Sequence, residues 1–314
     1  MPESCAIDSV LLIAFGGPTA RSEIRPFLDN VTRGRGIPRE RLEDVARHYE
    51  AMPGGRSPLN ALTEAQAAAL HTRLVGQTPV YIGMRHWHPY LHETLASMAR
   101  DGRRRALGVI LSAFRCEASW ERYMADVAAA RDRVTAAPDV VYAPPWFEHP
   151  RFVAAVADRV RTARAGLPDE ERDRTPVVFT AHSIPRAMAE ASPYVGDFTA
   201  AASAVARRAG LARWLLAYQS RSGAPRDPWL EPDIGETIRD LAKAGERRVL
   251  IVPIGFVVDH VEILHDLDTE ARAIAAQYGV GYHRAGAVND HPEFIEMLAE
   301  LTEQAQERTE PGRA

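Results

Sequence analysis

The chain has 314 residues, 46% hydrophobic and 25% charged, a length that predicts two domains of about 150 residues each. Its 38 Lys and Arg oppose 42 Asp and Glu, and a net charge of −4 excludes nucleic-acid binding by bulk charge. Two cysteines, Cys5 and Cys116, exclude a disulfide framework and any four-cysteine metal or iron–sulfur site within one chain.

The opening MPESCAIDSV has no basic segment ahead of its short apolar run, so it does not read as a signal peptide. No apolar stretch approaches the roughly 20 residues that span a bilayer. The expectation is a soluble protein of the reducing cytoplasm.

In chain order, runs rich in Val, Ile and Leu predict parallel strands buried on both faces, because they show no polar alternation. They fall at Val10–Phe15, Val80–Gly83, Ala106–Leu111, Val140–Tyr142, Val177–Thr180, Leu215–Tyr218 and Val249–Pro253. Amphipathic runs between them predict helices, among them Thr63–Val75, Tyr90–Met98, Trp120–Val134, Phe152–Ala165, Thr199–Ala209, Asp233–Ala244 and His260–Tyr278. Strand–helix alternation of this length predicts an α/β fold with helices on both sheet faces. Two halves look related: Val10–Phe15 pairs with Val177–Thr180, and Ala106–Phe114 with Val249–Phe256. The Pro-containing stretch Ala143–Pro150 is the expected boundary, and the polar tail Glu303–Ala314 is expected to fray.

The strongest local pattern follows the strand at Val249–Pro253. Glu262, Asp266 and Glu270 recur every four residues, which on an α-helix makes one acidic row with neighbours roughly 6 Å apart along the axis. A solvated face usually offsets like charges at this spacing with Lys or Arg. None stands between Asp259 and Ala271. Such a row suits a path for a hard divalent cation; the alternative is an acid-rich first turn favoured by the helix dipole, which leaves Glu270 unexplained.

His182 lies just past the strand Val177–Thr180, where an imidazole can face a ligand as proton acceptor or metal ligand. A core histidine bonded to a carbonyl is the alternative. Ser183 beside it is no nucleophile partner, since neighbours on an extended chain point apart and no G-x-S-x-G elbow is present. Arg33, Arg35, Arg56 and Arg85 lie in segments near aromatic residues and could fork carboxylates while rings hold a flat ligand. Solvated loop arginines are the alternative. Gly16-Gly17-Pro18 matches neither phosphate-binding glycine motif.

Taken together, the segments resemble the ferrochelatase family, in particular its bacterial coproporphyrin III branch, from Val10 to about Leu301. The resemblance rests on Ala14-Phe15-Gly16-Gly17-Pro18, on Asn30 through Gly36, and on His48-Tyr49 followed by Gly54 through Pro58. It continues in Thr180 through Pro185, Tyr218 through Gly223, Pro228 through Asp233, and Pro253 through Glu262. Order and spacing make the set specific.

The resemblance implies two Rossmann-like lobes of parallel sheets flanked by helices, with a cleft between them holding a porphyrin. The expected division is 1–148, 149–290, and a C-terminal helix and tail, 291–314, packing back on the first lobe. The implied reaction is insertion of Fe²⁺ into coproporphyrin III, giving coprohaem and two protons. By that similarity His182 and Glu262 face each other across the porphyrin centre and carry metal insertion. Asp266 and Glu270 complete the metal-handling set. Phe15, Arg33, Tyr49, Ser57, Arg85 and Tyr123 are the implied porphyrin-binding positions. Which of His182 and Glu262 takes protons, and which delivers iron, stays open.

Many relatives have Tyr in place of Phe15, so product iron is expected to be five-coordinate through His182 or otherwise ligated. Some relatives have Arg in place of Thr32, leaving Arg33 and Arg35 to meet carboxylates. Some carry an iron–sulfur cluster on four cysteines; here Trp120 and Ser192 stand in the neighbourhoods where such cysteines fall, so no cluster and no permanently bound cofactor is expected. Four arginines suit a substrate with four propionates. The charged stretch Arg33–Arg56, where protoporphyrin enzymes often carry an apolar lip, predicts no membrane docking. A cytoplasmic monomer in transient contact with the next haem-pathway enzyme is the expected setting. The alternatives are a non-catalytic porphyrin carrier on the same scaffold, or a chelatase for protoporphyrin IX or another metal.

Overall fold

The computed structural model describes residues 6–34, 36–75, 77–222 and 227–309. Cys5, Arg35 and Gly223, each quoted above, lie outside the described residues. The chain divides into two compact units. The first holds the residues up to Leu111, Ala118–Pro144 and the chain from Phe294; the second holds Ser112–Glu117 and Pro145–Glu293. The main span of the second unit is Pro145–Glu293.

The first unit contains β1 (Ser9–Ala14), β2 (Val80–Met84), β3 (Arg105–Ile110) and β4 (Asp139–Tyr142). The second contains β5 (Val177–His182), β6 (Trp214–Gln219), β7 (Arg248–Val252) and β8 (Gly281–Arg284). All pairings are parallel, and the orders are β2-β1-β3-β4 and β6-β5-β7-β8. The same order in both sheets accounts for the likeness between halves: β1 corresponds to β5 and β3 to β7. β1 is flanked on both edges, and its residues Val10–Ile13 are fully buried, as an unbroken apolar run requires.

Helices cover these strands through spaced apolar side chains. In the first unit Leu91, Leu95 and Met98 pack with Leu11, Ile13 and Ile110, joined by Tyr123 and Val127. In the second, Ile234, Ile238 and Leu241 pack with Val178, Val249 and Ile251. Ile263, Leu267, Ala271 and Ala275 close the same cluster, so the acidic segment is anchored by a buried stripe beside its carboxylates.

Three expectations are corrected. β8, Gly-Tyr-His-Arg, is an edge strand of half-buried polar residues with no apolar run to announce it. The helix expected over His260–Tyr278 is broken into Val261–Leu264, a π-helical turn at Asp266–Ala271, and Arg272–Gln277. The tail does not fray from Glu303, because a helix runs over Pro292–Thr309. The Arg73 Nε–H is shared between both carboxylate oxygens of Glu296 at 2.7 and 2.9 Å, and the Gln306 amide donates to Thr78 Oγ1 at 3.0 Å. Ala305 is buried beneath it.

Candidate functional site

In the second unit β5 ends at His182, in register with Gln219 of β6. The loop after β7 closes on this edge through Gly255, whose N–H donates to Thr180 O at 3.0 Å. A Cβ at Gly255 would lie 2.8 Å from the Ala181 backbone, so only glycine permits the approach. His182 Nδ1 donates to Ser183 O at 2.5 Å, and the Tyr194 hydroxyl donates to His182 O at 2.8 Å. A carbonyl only accepts, so Nδ1 carries a proton and Nε2 is the ring nitrogen left to face the site. The Ser183 hydroxyl is committed to Leu230 O at 2.9 Å, consistent with its exclusion as a nucleophile.

His182 Nε2 lies 3.6 Å from Glu262 Oε1. Glu262 stands second in the short helix Val261–Leu264. Its N–H is capped by His260 Nδ1 at 3.1 Å, and its carbonyl accepts from Gln219 Nε2 at 2.5 Å. Burial pushes the His260 imidazole below its usual value, against the pull of Glu262 and Asp259. The separation corrects one expectation. Atoms gripping a flat ring from opposite faces stand about 7 Å apart, two contacts of roughly 3.5 Å each. At 3.6 Å the two groups form one adjacent pair with no room for a macrocycle between them.

The π-helical turn enlarges this site. The Glu270 N–H reaches back five residues to His265 O at 2.9 Å, while the Thr269 N–H shares that carbonyl at 3.1 Å. Widening the turn brings residues five apart onto one face, so His265 joins the acidic row. His265 Nδ1 is 3.3 Å from Asp266 Oδ1 and 3.8 Å from Glu270 Oε1, and the three donor groups lie within 4.8 Å of one another. Burial raises the Asp266 carboxyl to about 6; Glu262 and Glu270 push the same way, while hydrogen bonds from Ser220 and His265 oppose it. The Ser220 hydroxyl donates to Asp266 Oδ2 from a backbone held at φ 63°, a left-handed conformation costly for serine. His265 was given no role in the sequence reading, because its role depends on the π turn; Gln219 and His260 stood in quoted motifs but without a role, which strand register and the cap on Glu262 supply. Ser220 lay inside a quoted motif.

The first unit holds the six implied porphyrin-binding positions. Phe15 follows β1, half-buried, with its ring 4.5 Å from that of His86 and 6.4 Å from Phe27. Phe27 also meets buried Tyr49 at 5.6 Å and Trp87 at 6.1 Å, so one aromatic cluster links Phe15 to Tyr49. Ser57 is buried and its N–H donates to Pro18 O at 2.9 Å. Gly17 donates to Asn60 Oδ1 at 2.8 Å, and a Cβ there would lie 2.9 Å from Ser57 Cβ. Arg33 is exposed, and its Nη2 donates to Asn30 Oδ1 at 2.6 Å; Asn30 in turn donates to Tyr90 OH at 2.7 Å.

Arg85 and Tyr123 depart from the expected role. The Arg85 side chain is only 4% exposed. Its Nε meets Asp126 Oδ2 at 2.5 Å and its guanidinium lies 4.2 Å from the centre of the Tyr123 ring. A cation spent on a carboxylate and a ring inside the fold is a packing element, not a free fork for a ligand.

Comparison with known proteins adds three findings. A family model described as ferrochelatase matches residues 8–306. A coproporphyrin III ferrochelatase of Mycolicibacterium smegmatis is 42% identical across 98% of this chain and 92% of its own; one from Frankia alni is 44% identical across 98% and 82%. Among solved structures, SirB from Bacillus subtilis with Fe3+ matches at a TM-score of 0.58 over 96% of each chain; at 12% identity it speaks for the fold alone.

Proposed function

The chain belongs to the ferrochelatase family, and we propose that it inserts Fe²⁺ into coproporphyrin III to give coprohaem. The single observation that carries this reading is the 3.6 Å between His182 Nε2 and Glu262 Oε1, with Nδ1 already satisfied. A lone pair facing a carboxylate at that distance is favourable only with a cation or proton between them. Two donors each about 2.1 Å from one metal ion lie roughly 3.0–3.6 Å apart for angles between 90° and 120°, so the pair fits one ion.

Iron is the substrate. Its entry displaces two protons from the pyrrole nitrogens, and each needs an acceptor. Nε2 of His182 and the Glu262 carboxylate are such acceptors, adjacent and on one side. Asp266, held at about 6, exchanges protons near neutrality and continues the path toward Glu270, which is 60% exposed. The row His265, Asp266 and Glu270 supplies one nitrogen and two carboxylates, a donor set for a divalent cation on its way in.

Phe15, Arg33, Tyr49 and Ser57 are assigned to the porphyrin, with Arg33 as a fork for a propionate. Phe15 has no oxygen to offer product iron, so His182 is assigned as the residue that would hold it. Two cysteines cannot supply four thiolates, so no iron–sulfur cluster is assigned. Among the described residues no helix is long and apolar enough to cross a membrane. We place the enzyme in the cytoplasm, as a monomer handing coprohaem to the next enzyme of haem synthesis.

The test is anaerobic Fe²⁺ insertion, followed by loss of free-base absorbance, with coproporphyrin III and protoporphyrin IX in parallel. Coproporphyrin should be strongly preferred. A preference for protoporphyrin would overturn the substrate assignment, and no insertion into either ring would overturn the activity.

A further inference from the structure

The acids of the segment 259–270 do not all face the same way. Arg284, at the end of β8, is 13% exposed and spends its guanidinium on two of them. Its Nε and Nη2 fork Asp268 at 2.7 and 2.8 Å, and its Nη1 donates to Asp259 Oδ1 at 2.9 Å and to Ala285 O at 3.0 Å. Asn289, farther along the same chain segment, closes the other side. Its Nδ2 donates to Asp259 Oδ2 at 2.8 Å while its Oδ1 accepts from the Asp259 N–H at 2.9 Å.

Asp259 stands just before His260 and Glu262, and Asp268 lies in the π turn between Asp266 and Glu270. A single cation therefore ties Asp259 to Asp268 across the stretch that carries Glu262, His265 and Asp266. A π turn is a rare departure from the α-helical ladder, so partners outside it help to hold it. Arg284, forking Asp268, is such a partner. It also neutralises the two carboxylates that are not in the row, which spares Glu262, Asp266 and Glu270 two further like charges on their own backbone. Arg272 contributes from one edge only, at 3.5 Å from Asp268 Oδ1, and its guanidinium is also engaged by the Tyr282 ring.

We infer that Arg284 is a positioning residue for metal delivery: through Asp259 and Asp268 it sets the π turn that brings His265, Asp266 and Glu270 together behind Glu262. This rests on the reading of that row as the iron path. Lysine cannot replace it, because an ammonium gathers its three donors on one nitrogen and has no planar fork to span one carboxylate while reaching a second.

The test titrates Co²⁺ alone into the porphyrin-free protein and reads affinity and the visible band pattern. Arg284→Lys and Asp268→Asn should each weaken Co²⁺ by about ten-fold or more, the usual scale for removing a partner that orients metal ligands, and alter the bands. Coproporphyrin binding, read by fluorescence quenching, should stay within two-fold. Arg73→Gln breaks the Arg73–Glu296 ion pair in the other unit and should lower thermal stability without moving Co²⁺ affinity, which separates positioning from general destabilisation. Co²⁺ affinity within two-fold of the parent in both Arg284→Lys and Asp268→Asn would overturn the inference. A parent protein that binds Co²⁺ yet inserts no iron would overturn the proposed function and leave the positioning role standing.

Discussion

Ser220, held at φ 63°, donates its hydroxyl to Oδ2 of Asp266. This bond favours the carboxylate and partly offsets the burial that raises the group to about 6. Ser220→Gly keeps the backbone conformation without strain and removes only the donor. The Asp266 carboxyl should then titrate above 6, and the pH midpoint for Co²⁺ binding should move up with it. A midpoint that stays in place, measured by titrations between pH 5 and 8, would show that Ser220 does not tune this acid.

Asp266 also ties stability to pH. Its folded value lies above the usual 3.8, so the folded state binds the proton more tightly than the unfolded chain. The stability this group contributes is therefore largest below pH 4, declines as pH rises through about 6, and is level beyond. The cost above pH 6 is about 3 kcal/mol at most, at roughly 1.4 kcal/mol for each pKa unit. Asp266→Asn removes that cost. In metal-free protein it should raise the melting temperature at pH 7.5 by several degrees and change it little at pH 4. An equal effect at both pH values would mean the carboxyl is not perturbed in this way.

How much of this was legible in the sequence depends on whether a feature was local. β1 and β7 announce themselves because burial on both faces demands an unbroken apolar run, and His182 and Glu262 follow directly from where β5 and β7 end. β8 is hidden because an edge strand needs no such run. The π turn is hidden as well: no Gly or Pro marks it, and its support comes from Asp268 and Arg284, partners that only the folded chain brings together. For the same reason His265 escaped notice while Asp266 beside it did not. Arg85 misled in the opposite sense. An arginine beside aromatics reads the same whether it awaits a ligand or has already met Asp126 and Tyr123.

That contrast is testable. Arg85→Ala leaves Asp126 without its partner and opens space beneath Tyr123, which should cost about 1–3 kcal/mol, tempered because Asp126 is 41% exposed. Thermal melts should fall by several degrees. At temperatures where the variant is fully folded, coproporphyrin affinity should match the parent. A selective loss of porphyrin affinity with an unchanged melt would restore Arg85 to the ligand-binding set.

Arg33 should behave in the reverse manner. It is exposed, and among the described residues its one hydrogen bond is to Asn30, so Arg33→Gln should leave the melting temperature within a degree or so. A solvated fork to one propionate contributes about 1 kcal/mol, or roughly five-fold in affinity. The loss should be larger for coproporphyrin than for protoporphyrin and should shrink as salt is raised, since exposed charge pairs are screened. Asn30→Ala should give a smaller loss of the same kind by freeing the Arg33 side chain. Equal affinity for both rings in parent and variant would remove Arg33 from the recognition of carboxylates.

Glu262→Gln separates binding from chemistry most directly. Glutamine keeps the shape, so the Gln219 bond to the residue 262 carbonyl and the cap from His260 remain. What is lost is the negative charge facing His182 Nε2, which removes both a metal donor and a proton acceptor. Iron insertion should fall by about 10²–10⁴-fold, the range for removing a positioned acid–base group, with porphyrin affinity within two-fold of the parent. His182→Ala should do the same. Because the two groups act as one adjacent pair, the double variant should be hardly slower than either single one. Multiplying losses would instead mean that the two residues work independently, as groups set on opposite faces of the ring would.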